Sequence, residues 1–155
     1  MKHMLFLCLL YLTIFTACSG SKQDAEDLNL KIITQQINSW VNLMPGSKPS
    51  FFISGSIQIK NNEKSAIDTL LLLKCDVFQE DRLTYQLHPG FQNLPDINSR
   101  LKPGDEGVFT INLSPGTPIK KELNLEKPVS INLYLSALNK VIVYKIDSIY
   151  IKKTY

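Results

Sequence analysis

Apolar residues recur at every second position through most of this chain. Phe51, Ile53, Ile57 and Ile59 alternate with Phe52, Ser54, Ser56, Gln58 and Lys60, with Gly55 in the apolar phase. Successive side chains of a strand leave opposite faces, so a period of two over ten residues predicts a strand with one buried face. The same period returns in Phe109-Ile111-Leu113 against Val108-Thr110-Asn112, and in Ile131-Leu133-Leu135-Ala137 within Val129 to Leu138. Ile67 to Gln79 predicts another strand, whose run Leu70 to Leu73 suits burial on both faces, and Leu83-Tyr85-Leu87 predicts a shorter one. From Val141 to Ile151 the apolar phase slips, from Ile142-Tyr144-Ile146 to Ile149-Ile151. An extra residue of that kind predicts a β-bulge near Asp147-Ser148.

Turn-forming residues punctuate these runs at Asn61 to Ser65, Glu80-Asp81, Leu101 to Asp105, Ser114 to Pro118 and Asn139-Lys140. His88 to Asp105 holds three prolines and two glycines and reads as one long connection without an element of its own. Asp27 to Met44 fits two periods. Ile33, Ile37, Trp40, Val41 and Met44 make a helical stripe, whereas Leu28-Leu30-Ile32 and Trp40-Asn42-Met44 fit a strand with a break. The stretch has no Ala or Glu and several β-branched residues, which favours a bent first strand. The sum is an all-β chain, an antiparallel β-sandwich of about six to eight strands.

A strand ending in Asn61-Asn62, a second apolar strand, and then Leu101-Lys102-Pro103-Gly104-Asp105 leading into the strand of Phe109 resemble the immunoglobulin-like domains of bacterial envelope proteins. The resemblance spans Ser50 to Leu113 and implies an immunoglobulin-like sandwich. The antibody-type cysteine pair is absent.

The first residues follow another rule. Met1-Lys2-His3 is a short basic start, Met4 to Thr16 is apolar, and Ala17-Cys18-Ser19-Gly20 is a small-residue exit. That is the layout of a secretory signal. The apolar stretch falls short of the roughly 20 residues that a bilayer-spanning helix needs, and the polar run Ser19 to Asp27 follows at once. Phe15-Thr16-Ala17-Cys18 resembles the lipobox of bacterial lipoproteins, matching at its last three positions; Phe15 stands where an aliphatic residue is usual. The resemblance implies lipidation of Cys18, removal of residues 1–17, a flexible tether over 18–27 and a β-sandwich domain over 28–155. The implied partner is the membrane itself, held through lipid on Cys18, and stable anchoring takes at least two acyl chains. An ordinary secretory signal cut after Ser19 is the alternative. Ser19, in place of the Asp that favours inner-membrane retention, implies the outer membrane. The acids within Lys22 to Asp27 resemble tracts that send some bacterial lipoproteins to the cell surface, so the expected location is the periplasmic or the exposed side.

Composition narrows the chemistry. The chain is 44% hydrophobic and 20% charged, as globular domains are. A net charge of +3 is too mild to predict a nucleic-acid partner. Of the three cysteines, Cys8 lies in the apolar signal and Cys18 takes the lipid, so Cys75 has no partner for an intrachain disulfide. Its place in Leu71-Leu73-Cys75-Val77 reads as a core thiol. His88 is the one histidine beyond the signal, and with Cys75 it falls short of a zinc ligand set. The acid pairs Glu80-Asp81 and Asp105-Glu106 sit at turns, so no metal is expected. No Gly-x-Ser-x-Gly elbow or phosphate-cradling loop occurs; Ser54-Gly55-Ser56 lies inside strand alternation, where small residues pack beneath a neighbour. No catalytic residue and no cofactor are expected. Trp40, Phe52, Tyr134, Tyr150 and Tyr155 are candidates for presenting rings to a ligand, while Lys120-Lys121 and Lys152-Lys153 read as solvated edges that discourage sheet-to-sheet pairing. These features predict a non-catalytic, membrane-anchored envelope protein whose sandwich binds a protein or a glycan or supports a larger assembly. The alternative is a small exported enzyme or enzyme inhibitor built on the loop 88–105.

Overall fold

A computed structural model describes residues 28–94 and 100–155. The expected signal, Cys18 and the tether lie outside the described residues, as does the middle of the 88–105 connection.

The described residues fold as a β-sandwich of ten strands. In chain order these are β1 (Leu30–Asn42), β2 (Ser50–Asn61), β3 (Leu71–Gln79), β4 (Arg82–Leu87), β5 (Gly90–Leu94), β6 (Glu106–Asn112), β7 (Thr117–Pro118), β8 (Val129–Ala137), β9 (Lys140–Ile149) and β10 (Ile151–Thr154). One sheet runs β10-β1-β2-β6-β5, with β7 also on β2, and the other runs β4-β3-β8-β9. All pairings are antiparallel except that of β1 with β10. Lettered in chain order, β1-β2-β6-β5 is an A-B-E-D sheet and β4-β3-β8-β9 a C′-C-F-G sheet, the immunoglobulin-like arrangement.

Strand alternation places the core. Phe51, Ile53, Ile57, Ile59, Phe109 and Ile111 line the inner face of the first sheet; Cys75, Val77, Ile131, Leu133, Leu135 and Ile146 line that of the second. Phe51 stacks on Tyr85 of the opposite sheet with ring centroids 5.0 Å apart, and Phe91 stacks on Phe109 at 5.0 Å. Ser54-Gly55-Ser56 packs tightly against β1. A Cβ on Gly55 would come 1.9 Å from the Gln36 carbonyl oxygen, so only glycine fits there.

The expected bulge in the last strand is present. Val129 pairs with Ile149 and Ile131 with Ile146, which leaves an extra residue at Asp147-Ser148, with Ser148 at φ 60°. After the bulge Ile149 still pairs with Val129, and past Tyr150 the chain enters the other sheet as β10. Asp27 to Met44 contributes one long strand, β1, bent by a register shift between Ile32 and Thr34.

Several details differ from expectation. The connection 88–105 contains β5, which pairs with β6 from Gly90–Asn112 to Leu94–Val108. Pro89 before it and Pro95 after it hid a short edge strand whose Phe91 reaches the core. β3 begins at Leu71, and Ile67 instead makes an isolated bridge to Leu101. Leu70 to Leu73 is not buried on both faces: a register shift between Leu72 and Lys74 leaves Leu71 and Leu73 exposed. In β4 a shift beside Phe78 turns Leu83 outward while Thr84 and Tyr85 are buried. The β8–β9 hairpin tip is Leu138-Asn139, one residue before Asn139-Lys140; both carry positive φ, as a two-residue turn of the I′ type requires.

Candidate functional site

Polar side chains in the buried phase of strands pin the loops. Asn61 is fully buried at the end of β2. Its Nδ2 donates to the carbonyls of Ser65 (3.0 Å) and Leu101 (2.9 Å), and its Oδ1 accepts from the Glu63 N–H (2.9 Å). Its backbone carbonyl accepts from Gly104 N–H at 2.7 Å. Gly104 has φ 85° and the Asp105 N–H donates to Lys102 O, so Lys102-Pro103-Gly104-Asp105 is a type II turn, where glycine is the residue that takes positive φ freely. The Asn-Asn and Pro-Gly-Asp segments noted in the sequence thus meet in space. Gln79, at the end of β3, donates to the carbonyls of Asn124 and Lys127 and accepts from Asn124 N–H. The Tyr85 hydroxyl donates to Pro118 O and accepts from Lys120 N–H.

The outer face of the second sheet carries a charged cluster. Lys74 lies 2.7 Å from the Asp76 carboxylate and 4.1 Å from the centre of the Tyr134 ring, and Gln86 donates to Asp76 at 3.2 Å. Burial would raise the Asp76 carboxyl, but hydrogen bonds from Lys74, Gln86 and Tyr134 outweigh it and hold the group below the usual carboxylate range. The same bond to Asp76 raises Lys74. Both charges of the Lys74–Asp76 pair are partnered, and the cluster ties β3 to β4 and β8. Cys75 is fully buried, and desolvation pushes its thiol up to about 12, which makes it inert at neutral pH.

His88 is exposed, with Nδ1 2.9 Å from the Leu73 carbonyl. No depression described below includes it. Tyr150 and Tyr155 are exposed near the C-terminus. Lys120 and Lys152 are not idle edge charges: Lys120 Nζ donates to Thr84 O, and Lys152 Nζ to Asn38 Oδ1. Lys153 pairs with Glu126. Among the described residues no three His, Cys, Asp or Glu side chains come together as a metal would require.

Trp40 and Phe52 are brought together. They face each other across β1 and β2 on the outer face of the first sheet, stacked at 5.3 Å between centroids and 5° between planes. Gly116 closes against the far end of the Phe52 ring, where a Cβ would come within 2.5 Å of Cζ. Beside this stack lies a depression of about 580 Å³. Trp40 forms one wall; Ser54, Thr110, Asn112, Ser114 and Gln92 supply polar atoms, and Gly55 and Gly90 leave room in the floor. Register sets this grouping. Ser54, Asn112 and Gly90 stand side by side on β2, β6 and β5, and Ser56, Thr110 and Gln92 make the next row. None of the lining side chains is charged.

Two larger depressions are weaker candidates. One of about 740 Å³ lies where Leu28 enters the sandwich, between turn residues whose polar groups are already engaged: Glu63 accepts from Asn29 N–H and lies 3.9 Å from Lys140. The other, about 630 Å³, lies beside Arg82, Lys120 and Glu122, with Lys120 committed to Thr84. The sequence reading missed Ser54, Gln92, Thr110 and Asn112. Their signal was present as uncharged residues in the outward phase of three strands, but nothing in the chain order says that those strands are neighbours.

No family model and no curated protein matches the chain.

Proposed function

We propose that this protein is a lipid-anchored, non-catalytic component of the bacterial envelope whose sandwich is a binding module. The anchor reading rests on the lipobox-like Phe15-Thr16-Ala17-Cys18 after a short apolar segment. The observation that carries the binding reading is the Trp40–Phe52 stack. It is half exposed on the outside of a sheet, beside a depression that holds polar side chains. A ring that serves only stability gains most inside the core, whereas aromatic residues with a polar edge suit binding surfaces.

Two measurements test the two halves of this reading. The full chain expressed in a Gram-negative host incorporates labelled palmitate and stays with membranes, and Cys18→Ala loses both; a variant still labelled would overturn the anchor. A photo-crosslinking residue at Thr110 captures an envelope component in intact cells, and the product disappears when Trp40→Ala is added. Equal capture with and without Trp40 would overturn this face as the binding surface.

A further inference from the structure

The walls of the Trp40 depression specify a class of ligand. Five side chains there offer hydroxyl or amide groups: Ser54, Gln92, Thr110, Asn112 and Ser114. Among the described residues, Ser54, Gln92, Asn112 and the Trp40 indole N–H make no side-chain hydrogen bond, and Thr110 makes one, to Gln92 O at 3.3 Å. These groups both donate and accept, which suits a ligand dense in hydroxyls. The depression holds no cation to receive a phosphate or carboxylate and no anion to receive an amine. The nearest lysine in register with Trp40, Lys152, is committed to Asn38. The polar lining suits a protein partner less well, because the core of such an interface is more apolar than the surface around it. Exposed apolar residues gather instead on the second sheet, at Leu71, Val141 and Val143.

An uncharged ligand carrying many hydroxyls and an apolar C–H surface is a neutral saccharide. We infer that the depression between Trp40 and Gln92 is a binding site for a neutral saccharide, with the indole as its apolar wall and the Ser54, Asn112 and Gln92 groups meeting the sugar hydroxyls. This rests on reading the outer face around Trp40 as the binding surface. The volume lies within the range of small-ligand sites. The face is also open across the strands. From β1 to β5 it extends roughly 14 Å at the usual strand spacing, so a chain of linked sugars can lie along it. The site is preorganised, because Gly116 and Phe52 back the Trp40 ring before any ligand arrives.

The test is affinity electrophoresis of the full chain in a polyoxyethylene detergent, which carries no sugar headgroup. Native gels contain a neutral polysaccharide (galactomannan, glucomannan, β-glucan or starch) or the anionic polygalacturonate. At least one neutral polymer retards the wild type. Trp40→Ala, Asn112→Ala and Gln92→Ala each weaken that retention by about tenfold. Asn112 and Gln92 are exposed, so their variants keep the fold, and the same thermal unfolding midpoint verifies it. Retardation by none of the neutral polymers, retardation by polygalacturonate alone, or retention unchanged in all three variants would each overturn the saccharide site. Trp40-dependent crosslinking of a protein at Thr110, without retardation, would discard the saccharide and keep the binding face. Loss of both signals would discard the face as well.

Discussion

Asn61 ends β2 in the inward phase of that strand, where Phe51, Ile53, Ile57 and Ile59 precede it. Its amide replaces a hydrocarbon because three backbone groups of the neighbouring turns need partners there. Asn61→Ala removes all three bonds at a fully buried position, although Leu101 O keeps the bond from Ile67 N–H, so urea unfolding should show a loss of about 1–3 kcal/mol. An unchanged midpoint would mean that water replaces the amide without cost. Cys75 makes a second prediction at this scale. Its folded thiol is raised from the ordinary 9.0 to about 12 by burial. Below pH 9 folded and unfolded chains both keep the proton, so the thiol adds no pH dependence. Between those values the unfolded chain releases a proton that the folded one retains, and stability falls by at most about 1.4 kcal/mol per pH unit. Tyr85, raised by burial, adds a decline of the same sign at higher pH. Cys75→Val should therefore lose less stability than the wild type between pH 8 and pH 10.5; parallel curves would remove the thiol as a cause.

At the scale of elements, legibility followed the alternation. β2, β6 and β8 keep one apolar phase along their length, and each was readable with its buried face. The slip at Asp147-Ser148 was readable for the same reason, since two phases flank it. Leu70 to Leu73 has no phase at all, so four leucines hid the shift that exposes Leu71 and Leu73. β5 was lost among prolines because a five-residue edge strand between Pro89 and Pro95 in the sequence carries too short an alternation to read, although its Phe91 stacks on Phe109. The site was legible in part. Trp40 and Phe52 stood out as aromatics in polar surroundings, but their stacking depends on β1–β2 register, and the amides opposite depend on sheet order. The Leu138-Asn139 hairpin carries the remaining prediction at this scale. Leu138 has φ 51° and is exposed, so it bears the left-handed cost with little burial to offset it. Leu138→Asn should raise stability by about 1 kcal/mol in urea unfolding; a decrease would show that its partial packing outweighs the backbone cost.

For the whole molecule, β1 ties the proposed anchor to the proposed site. The described chain begins at Leu28, and Trp40 lies twelve positions later near the far end of a single strand. Ten strand residues from Leu30 extend roughly 33 Å. Residues 18–27, counted as chain length alone, add a reach of at most about 35 Å. A molecule held through Cys18 with its Leu28 end toward the bilayer therefore carries the Trp40 groove well clear of the headgroups, where a polymer in the surrounding envelope can reach it. Trp40 is the one tryptophan of the chain, so its fluorescence reports this position without interference. In liposomes containing the lipidated protein, acrylamide in the aqueous phase should quench Trp40, while lipids brominated on their acyl chains should leave it bright. Quenching by the brominated lipids would mean that the sandwich lies on the bilayer with this face down. The outer face of the first sheet would then be a membrane contact, and a saccharide site at Trp40 would have no access to its ligand.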